Sequence, residues 1–313
     1  MSYESKMLEQ MAMPTRERVE HALLRSLLRH GGVVAEFNEG EAIVGEIADV
    51  FGLTEGQRAA VLKRVYRKEN RIVESRLWHR LLFRAADTLA REKLVSRPKA
   101  TFELTRKKEW MLTESGFDEA LRLSDIPAAK KELLPIRSFE VQKLANSIAS
   151  SPKPENYDPI EPGKRLAKRE VESVLRGRGF RIAVVEAYHF KCAVCGLKIA
   201  PPDSLLWEVE AAHIVPNHAK GRDDIWNGIA LCRLHHWAFD VGWFTILDNY
   251  KLQLSGGVSS LPPDEGVMGG YEFIRALADP ATGISLPERE DCRPDRAAVR
   301  WHQENVFKRK HLI

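Results

Sequence analysis

Two pairs of metal-ligand residues with the same internal spacing are the strongest chemical signal in this sequence. The first pair is Cys192-x2-Cys195 and the second is Cys232-x2-His235, with 36 residues between them. Three thiolates and one imidazole at these spacings suit one tetrahedral Zn²⁺, and four protein ligands leave no open position, so the predicted zinc is structural. His235 is assigned to zinc in preference to His236 because its spacing from Cys232 mirrors the first pair.

Between and after these two pairs, the sequence predicts two strands separated by a polar loop and followed by a helix. In order, the pattern predicts a β-type run Trp207–Ile214 that contains His213, a polar loop Pro216–Trp226, a second β-type run 227–231 and a helix from about Cys232 to Asp240. Strand, loop, strand and helix is the ββα-metal arrangement. Adjacent His235 and His236 point about 100° apart on such a helix, so each can face a different site.

This region resembles the HNH nuclease family, and within it the restriction-type HNH endonucleases. AAHIVP supplies the first histidine of the family motif, His213, while Asn227 supplies the asparagine and His236 the second histidine. The run RGRGFRIAVVEAYHFKCAVCG before the motif and VRWHQENVF after it extend the resemblance over residues 174–307. The resemblance implies hydrolysis of phosphodiester bonds with a divalent metal ion.

The same resemblance implies a role for each motif residue, and the chemistry supports these roles. His213 would act as general base, because a neutral imidazole near pH 7 can take a proton from an attacking water. His236 and Asp240, four apart on one helix face, would ligate a catalytic Mg²⁺ or another divalent cation that neutralises charge on the phosphate and the leaving 3′ oxygen. Asn227 would tie the loop to the second strand and hold His213 in place.

One position departs from the family pattern. The family commonly has an acidic residue or a histidine immediately before the base, whereas this sequence has Ala212. Glu210 lies on the same predicted strand face and could reach the ion through a water. The departure leaves the identity of the catalytic metal open. It also favours an alternative function, a DNA-binding regulator whose HNH fold is catalytically inactive.

The N-terminal part of the sequence has the element order of a winged helix. The patterns predict helices at residues 15–31 and 41–51 and a third helix after the capping-box sequence Thr54-Glu-Gly-Gln57. A basic amphipathic helix containing Trp78 and Leu89 follows. After it we predict the strands Thr101–Leu104 and Trp110–Leu112 and a last helix Thr113–Leu123. With GLT at 52–54 and LTESG at 112–116, residues 15–123 resemble the N-terminal winged helix of Mrr-type restriction proteins.

Charge is distributed unevenly along the chain, although its net value is only +4. Arg58 to Lys108 contains 16 Lys or Arg against 5 Asp or Glu, whereas Cys192 to Ile313 contains 13 against 16. A basic stretch of this kind favours a nucleic-acid partner. The winged-helix resemblance implies that the basic helix containing Trp78 and a wing at 97–108 contact DNA. The residues expected to make these contacts are Arg76, Arg80, Arg84, Arg97, Lys99 and Lys107. A solvated helix face and a winged helix used for protein contacts remain alternatives.

The length and composition of the chain indicate how many domains these elements form. A chain of 313 residues with 44% apolar content suits two packed α+β domains, and we predict a winged-helix DNA-binding domain at 1–125, a proline-rich linker at 126–163 and a zinc-stabilised HNH endonuclease domain at 164–313. Four cysteines in a chain this long are not a disulfide scaffold. No apolar run is long enough to span a membrane, so we expect a soluble, cytoplasmic protein without a membrane partner.

The function predicted from the sequence is therefore a DNA endonuclease that takes part in restriction or defence against foreign DNA. Its partner would be double-stranded DNA, and a homodimer is one arrangement that would allow cleavage of both strands. An RNA nuclease is a third alternative beside the inactive regulator. Assays on duplex DNA and on structured RNA separate the two nuclease functions.

Overall fold

The computed structural model describes residues 3–38, 40–66, 71–163, 171–199, 207–256 and 283–308. The chain divides into two compact units, one comprising Met1–Glu140 and the other Val141–Pro202 with Leu206–Ile313. Each unit has its own cluster of buried apolar side chains, and helices and strands occur in both, which confirms the mixed helix-and-strand class. Among the helices in these ranges, none has both the length and the apolar character needed to cross a membrane.

The first unit combines helices with a small three-stranded sheet. In chain order its elements are α1 (Tyr3–Gln10), α2 (Arg16–Arg29), β1 (Val33–Ala35), α3 (Ala42–Val50), α4 (Glu55–Ala59), β2 (Val61–Tyr66), β3 (Arg71–Arg76), α5 (Leu77–Arg91), β4 (Val95–Ser96), α6 (Pro98–Thr105), β5 (Glu109–Leu112) and α7 (Glu114–Leu123). The sheet is antiparallel with order β1-β5-β4, and β2 and β3 form a separate antiparallel pair.

Local sequence signals account for the helix ends in this unit. The side chain of Thr15 accepts a hydrogen bond from the backbone N–H of Arg18 and begins α2, and Thr54 and Gln57 form the predicted capping box of α4. Gly32 follows α2 with φ +93°, and a Cβ there would lie 2.1 Å from the carbonyl oxygen of Arg137. Glycine is therefore required at this close approach.

Two elements of the first unit differ from the prediction. The predicted strand Thr101–Leu104 is wrong, because these residues belong to α6. Pro98 lies in the first turn of this helix, where a proline fits, and the buried Thr101 hydroxyl donates to the carbonyl oxygen of Arg97 at 2.9 Å. The predicted wing at 97–108 therefore contains a helix. A hairpin instead precedes α5, formed by β2 and β3.

The second unit contains one long helix and two short antiparallel strand pairs. In chain order its elements are α8 (Phe139–Ser150), α9 (Val171–Ala187), β6 (Val209–His213), β7 (Gly228–Cys232), α10 (Arg233–Asp240), β8 (Phe244–Ile246), β9 (Leu252–Leu254) and α11 (Arg296–His302), which continues into one turn of π-helix at Gln303–Phe307. The predicted order of strand, loop, strand and helix is confirmed in β6, β7 and α10.

The β6–β7 pair carries His213 and Cys232, two of the residues singled out from the sequence. Its register places Val209 opposite Cys232 and His213 opposite Gly228. All five residues of β7 are buried, and α9 packs against both strands. A Cβ at Gly228 would lie 2.3 Å from Cγ2 of Val184 and 3.0 Å from Cε2 of Phe180, so only glycine allows α9 to approach this closely.

Part of the segment predicted as a linker is folded. The boundary between the two units falls between Glu140 and Val141, inside the predicted range 126–163. Ile136 is buried in the core of the first unit, and Ala145 and Ile148 of α8 are buried in the core of the second. Apolar residues at helical spacing thus outweigh the proline content here. The predicted domain start at Lys164 lies outside the described residues.

Substitution of Gly228 by alanine tests the close contact between α9 and β7. Its φ of −122° suits any residue, so the clash with Val184 and Phe180 alone decides the outcome. We expect Gly228→Ala to lower the free energy of unfolding by about 1 to 3 kcal/mol, as overpacking does. The matched control is Gly177→Ala in α9, where a Cβ meets nothing within 4 Å. Urea denaturation that ranks the two variants equally would contradict the packing described here.

Candidate active site and metal centre

Four side chains from three segments converge on a position suited to a tetrahedral metal ion. Cys192 and Cys195 lie in the turns after α9, Cys232 ends β7, and His235 lies in the first turn of α10. One ligand atom from each residue lies within 4.8 Å of all the others. Nδ1 of His235 is 3.0 Å from Sγ of Cys232 and 3.6 Å from Sγ of Cys192, close to the separations that bonds of about 2.0 to 2.3 Å to one zinc ion impose.

The electrostatics of this cluster call for a cation. The hydrogen bond from Cys232, supported by His235, lowers the pKa of Cys192 to about 3. The same hydrogen bond, together with burial, raises the pKa of Cys232, and burial raises the pKa of Cys195. Three thiolates therefore do not ionise together without a compensating charge. A divalent cation supplies that charge, and the donor set of three sulfurs and one imidazole suits zinc.

His213 lies at the end of β6 and is held on two sides. Its Nε2 is 2.9 Å from Oδ1 of Asp223, and the two side chains are only 16% and 8% exposed. Its ring stacks on Phe180 of α9, with the ring centroids 4.0 Å apart and the planes 18° apart. With Nε2–H donating to a carboxylate at Asp223, the lone pair of the neutral imidazole is on Nδ1.

Asn227 fixes the loop that connects β6 to β7. Its side chain is fully buried, and Oδ1 accepts a hydrogen bond from the backbone N–H of Val215 at 2.8 Å. Its Nδ2 donates to the carbonyl oxygens of Val215 at 3.0 Å and Arg222 at 2.9 Å. The amide thus holds both ends of the loop, and Arg222 immediately precedes Asp223. Asn227 thus holds Val215, two residues after His213, and Arg222, the residue before Asp223.

His236 points away from the cysteine cluster and contacts two carboxylates. Its Nδ1 is 3.2 Å from Oε2 of Glu210, and its Nε2 is 3.6 Å from Oδ2 of Asp240. Burial alone would lower the pKa of His236, but the hydrogen bond with Glu210 and the charge of Asp240 raise it. The hydrogen bond with His236 in turn lowers the pKa of Glu210. The predicted pair His236 and Asp240 thus lie together, and Glu210, which the sequence also singles out, contacts His236.

The two adjacent histidines divide between two sites, as their helical spacing predicts. His235 joins the cysteines, while His236 joins Glu210 and Asp240. Across the described residues, the Cys192, Cys195, Cys232 and His235 set is the one group of three or more potential ligands within mutual reach of a single ion. Ala212, which replaces the acidic residue or histidine of the family pattern, is buried opposite Ile229.

Sequence reasoning missed Asp223 and Phe180. The run Gly221-Arg-Asp-Asp224 marks a polar loop, but it does not reveal which aspartate turns inward. Asp223 binds His213, whereas its neighbour Asp224 forms an ion pair with Arg176 at 3.0 Å. Phe180 carries no chemical signal of its own, since an aromatic residue in a helix is typical of a packed core.

The residues predicted to contact DNA lie in the first unit, and several of them have partners within the protein. Glu4, only 8% exposed, accepts from Arg80 at 2.9 Å and from Arg84 at 2.7 Å. Arg97 pairs with Asp87 at 2.8 Å. Arg76 precedes the first turn of α5, and Lys99 and Lys107 are exposed. Arg80 and Arg84 are thus engaged by the carboxylate of Glu4 in this state of the protein.

Comparison with known proteins connects this site to one family. The family model of the HNH endonuclease matches residues 192–247, the span from the first cysteine through β8. None of the curated proteins matches this chain significantly. Among solved structures, the "Modification dependent TagI restriction endonuclease" is similar with a TM-score of 0.30 and 22% identity, covering 41% of this chain and 37% of that chain. The chain thus spans little more than a third of that structure, and the family match alone supports the functional interpretation.

The cysteine cluster predicts one tightly held zinc ion per chain. Because such a site contributes directly to folding, we expect Cys232→Ser to lose the metal and to lower the melting temperature of the second unit. Elemental analysis of the purified protein, with denaturation of each variant, measures both effects.

The matched control for the metal site is Cys292→Ser. Cys292 is also buried in the second unit, but its Sγ lies 3.5 Å from the carbonyl oxygen of Ala149, outside the cluster. This variant should keep the metal. Wild-type protein without bound metal, or equal metal content in both variants, would show that the four residues do not form the site.

Proposed function

We propose that this chain is a metal-dependent DNA endonuclease that hydrolyses phosphodiester bonds, with a role in restriction or defence against foreign DNA. The observation that carries the proposal is the position of His213. It lies within the segment that matches the HNH endonuclease family, with one ring nitrogen on Asp223 and its ring against Phe180. An imidazole fixed in this way presents its other nitrogen in one orientation, as a general base requires.

In the proposed reaction, Nδ1 of His213 accepts a proton from water. The water oxygen bonds to phosphorus, the bond from phosphorus to the 3′ oxygen breaks, and that oxygen takes up a proton from solvent. Asp223 accepts from Nε2–H throughout and stabilises the imidazolium that forms, as a buried carboxylate does for a catalytic histidine. Asn227 keeps the Asp223 loop in place and acts as a positioning residue.

His236 and Asp240 are proposed to hold the catalytic divalent cation, Mg²⁺ or another. The donors fit, because Nε2 of His236 and Oδ2 of Asp240 lie 3.6 Å apart on one side of α10. Glu210 faces the other ring nitrogen, so its suggested role is to accept from Nδ1–H and leave Nε2 for the ion, as outer carboxylates commonly do. When bound, the cation neutralises charge on the phosphate and on the leaving oxygen.

The first unit is proposed to be a winged-helix unit that binds double-stranded DNA. The order α2, β1, α3, α5, β4, β5 with a sheet β1-β5-β4 supports this fold, with the β2–β3 hairpin and α6 as additions. The basic excess from Arg58 to Lys108 supports a polyanionic partner. Since Glu4 engages Arg80 and Arg84, contact of these two arginines with phosphate requires Glu4 to share or release them.

We further propose a division of the chain into domains. Residues 1–125 would act as the DNA-binding domain and residues 164–313 as the endonuclease domain, with 126–163 between them. The protein would work in the cytoplasm, where foreign DNA is met. Association into a homodimer would place two nuclease sites on one duplex and allow cleavage of both strands.

One observation favours a second candidate function, a DNA-binding regulator with an inactive nuclease fold. Ala212 lies immediately before His213 and offers no donor atom to a metal ion. The catalytic cation would then depend on His236 and Asp240 alone, with water and phosphate oxygens completing its coordination. A regulator of this kind would bind DNA with high affinity but would not cut it in the presence of any divalent cation.

Cleavage of supercoiled plasmid in Mg²⁺ or Mn²⁺ tests the proposed function. We expect nicking by the wild type and a loss of about 10² to 10⁴-fold in rate for His213→Ala, as removal of a general base produces. His218→Ala is the control. His218 is exposed in the loop that follows β6, and this variant should leave the rate unchanged. DNA binding without cleavage would favour the regulator, and preferential cleavage of structured RNA would favour an RNA nuclease.

The Asp223–His213 contact gives a separate prediction. Asp223→Asn should lower kcat by about 10² to 10⁴-fold with little change in KM, because an amide neither fixes the tautomer nor stabilises the imidazolium. Asp224→Asn, which removes the neighbouring carboxylate that pairs with Arg176, is the control. In the His213→Ala background, Asp223→Asn should have no further effect on kcat. An additive loss in the double variant would show that Asp223 acts independently of His213.

A further inference from the structure

A cavity of about 650 Å³ opens in the first unit beside the N-terminal half of α5. It is an open hollow bordered by the residues after β1, by the end of β3 and by the exposed face of α5. Its volume falls within the range of about 300 to 1,000 Å³ that is typical of sites for small organic groups. The proposed nuclease chemistry of the second unit does not use this cavity.

Two aromatic rings line the cavity and are held by a third. Phe37 stacks on Trp110 with the ring centroids 5.8 Å apart, and Phe83 meets the same indole edge-on at 5.9 Å. Phe83 is nevertheless 57% exposed, although the other large apolar side chains of α5 are buried. A fixed, exposed aromatic ring in a concave site is suited to stacking against a planar aromatic ligand.

Arginines on successive turns surround this aromatic surface. Arg76, Arg80 and Arg84 line the cavity at intervals of four residues. Nη2 of Arg80 is bound to Glu4 at 2.9 Å, and Arg84 contacts the same carboxylate. Guanidinium groups donate charge-assisted hydrogen bonds to anionic oxygens, so three of them along one face of the cavity suit an anionic group of a ligand.

The charge near the cavity remains positive when its acidic groups are counted. Glu4 binds Arg80 and Arg84 together, and Glu74 pairs with Lys63 at 2.9 Å. On the lining itself, Arg76, Arg80 and Arg84 stand against Glu74, with Glu4 beside them. The excess favours an anionic ligand, and guanidinium groups are suited to phosphate.

The rest of the lining supplies hydrogen-bonding groups of both kinds. Asn38, Ser75 and His79 offer amide, hydroxyl and imidazole groups, and Nδ1 of His79 lies 3.1 Å from the carbonyl oxygen of Phe37. The edge of a nucleobase presents donors and acceptors that such groups can bind. Aromatic surface, positive charge and mixed hydrogen-bonding groups together match a nucleotide.

We infer that this cavity binds one unstacked nucleotide of the bound DNA, with its base against Phe83 and its phosphate near Arg76 and Arg80. The inference rests on the proposed function, since it assumes a DNA partner. Removing a base from the helical stack costs free energy, and stacking on an aromatic side chain offsets part of that cost. The first unit would then recognise a base as well as the phosphate backbone.

DNA containing 2-aminopurine tests the inference, because this base fluoresces more strongly when it leaves the stack. Full-length protein is titrated with labelled duplex without added Mg²⁺ or Mn²⁺, and anisotropy gives the affinity. We expect the 2-aminopurine signal to rise on binding. Phe83→Ala should abolish the rise and weaken binding by about 5- to 100-fold, the usual effect of losing one base-stacking side chain.

Phe102→Ala is the matched control. Phe102 is a 42% exposed phenylalanine on α6 of the same unit and does not line the cavity. This variant should bind and fluoresce as the wild type does, and Arg76→Ala should weaken binding. Equal behaviour of the Phe83 and Phe102 variants, or tight wild-type binding without a rise in fluorescence, would overturn the inference.

The plasmid assay separates failure of this inference from failure of the proposed function. Nicking by a wild type that shows no rise in 2-aminopurine fluorescence overturns the nucleotide site alone. Protein that neither binds nor nicks DNA overturns both. The inference is supported if both the wild type and Phe83→Ala nick plasmid at saturating DNA but only Phe83→Ala loses the rise in 2-aminopurine fluorescence. Phe83 would then bind the base without taking part in cleavage.

Discussion

The antiparallel register of β6 and β7 determines where the reactive groups of the second unit lie. Five consecutive residue pairs connect Val209 with Cys232 at one end and His213 with Gly228 at the other. The cluster of Cys192, Cys195, Cys232 and His235 therefore forms at one end of the ladder, and the His213–Asp223 pair at the opposite end. A slip of one residue would turn every side chain of β6 to the other face. The cysteine cluster fixes the Cys232 end of the β6–β7 pair, and the close contact of α9 fixes the Gly228 end. Both therefore stabilise the same strand register.

The helix that follows β7 connects the two ends of this arrangement. α10 begins directly after Cys232, so His235 reaches the cluster while His236 turns toward β6 and meets Glu210. Residues two apart share one face of a strand, which places Glu210 on the face of the buried Ala212. The carboxylate at 210 contacts the imidazole and leaves position 212 apolar against Ile229. Position 212 thus offers no donor atom, and Glu210 on the same strand face contacts His236.

The parts of this structure that the sequence predicts are those set by short-range spacing. Cys192, Cys195, Cys232 and His235 follow from two local pairs, and the separation of His235 from His236 follows from helix geometry. Asp223 does not, because the choice between two adjacent aspartates depends on contacts that are distant in sequence, His213 for Asp223 and Arg176 for Asp224. Residues 101–104 alternate like a strand, but Pro98 begins a helix there. The contact of Glu4 with Arg80 joins residues 76 positions apart, and no local pattern encodes it.

Charge explains why, on the proposed function, binding and cleavage fall to different parts of the chain. The second unit places Asp223 beside His213 and Glu210 and Asp240 beside His236, and from Cys192 onward acidic residues outnumber basic ones. Carboxylates that orient imidazoles and hold a cation also repel a polyanion, and a divalent ion offsets this only close to the scissile phosphate. Affinity for the rest of the duplex has to come from cationic surface elsewhere. On the proposed function, the basic stretch from Arg58 to Lys108 would supply this affinity. Phosphates neutralised there would release counterions without adding positive charge next to the proposed general base His213.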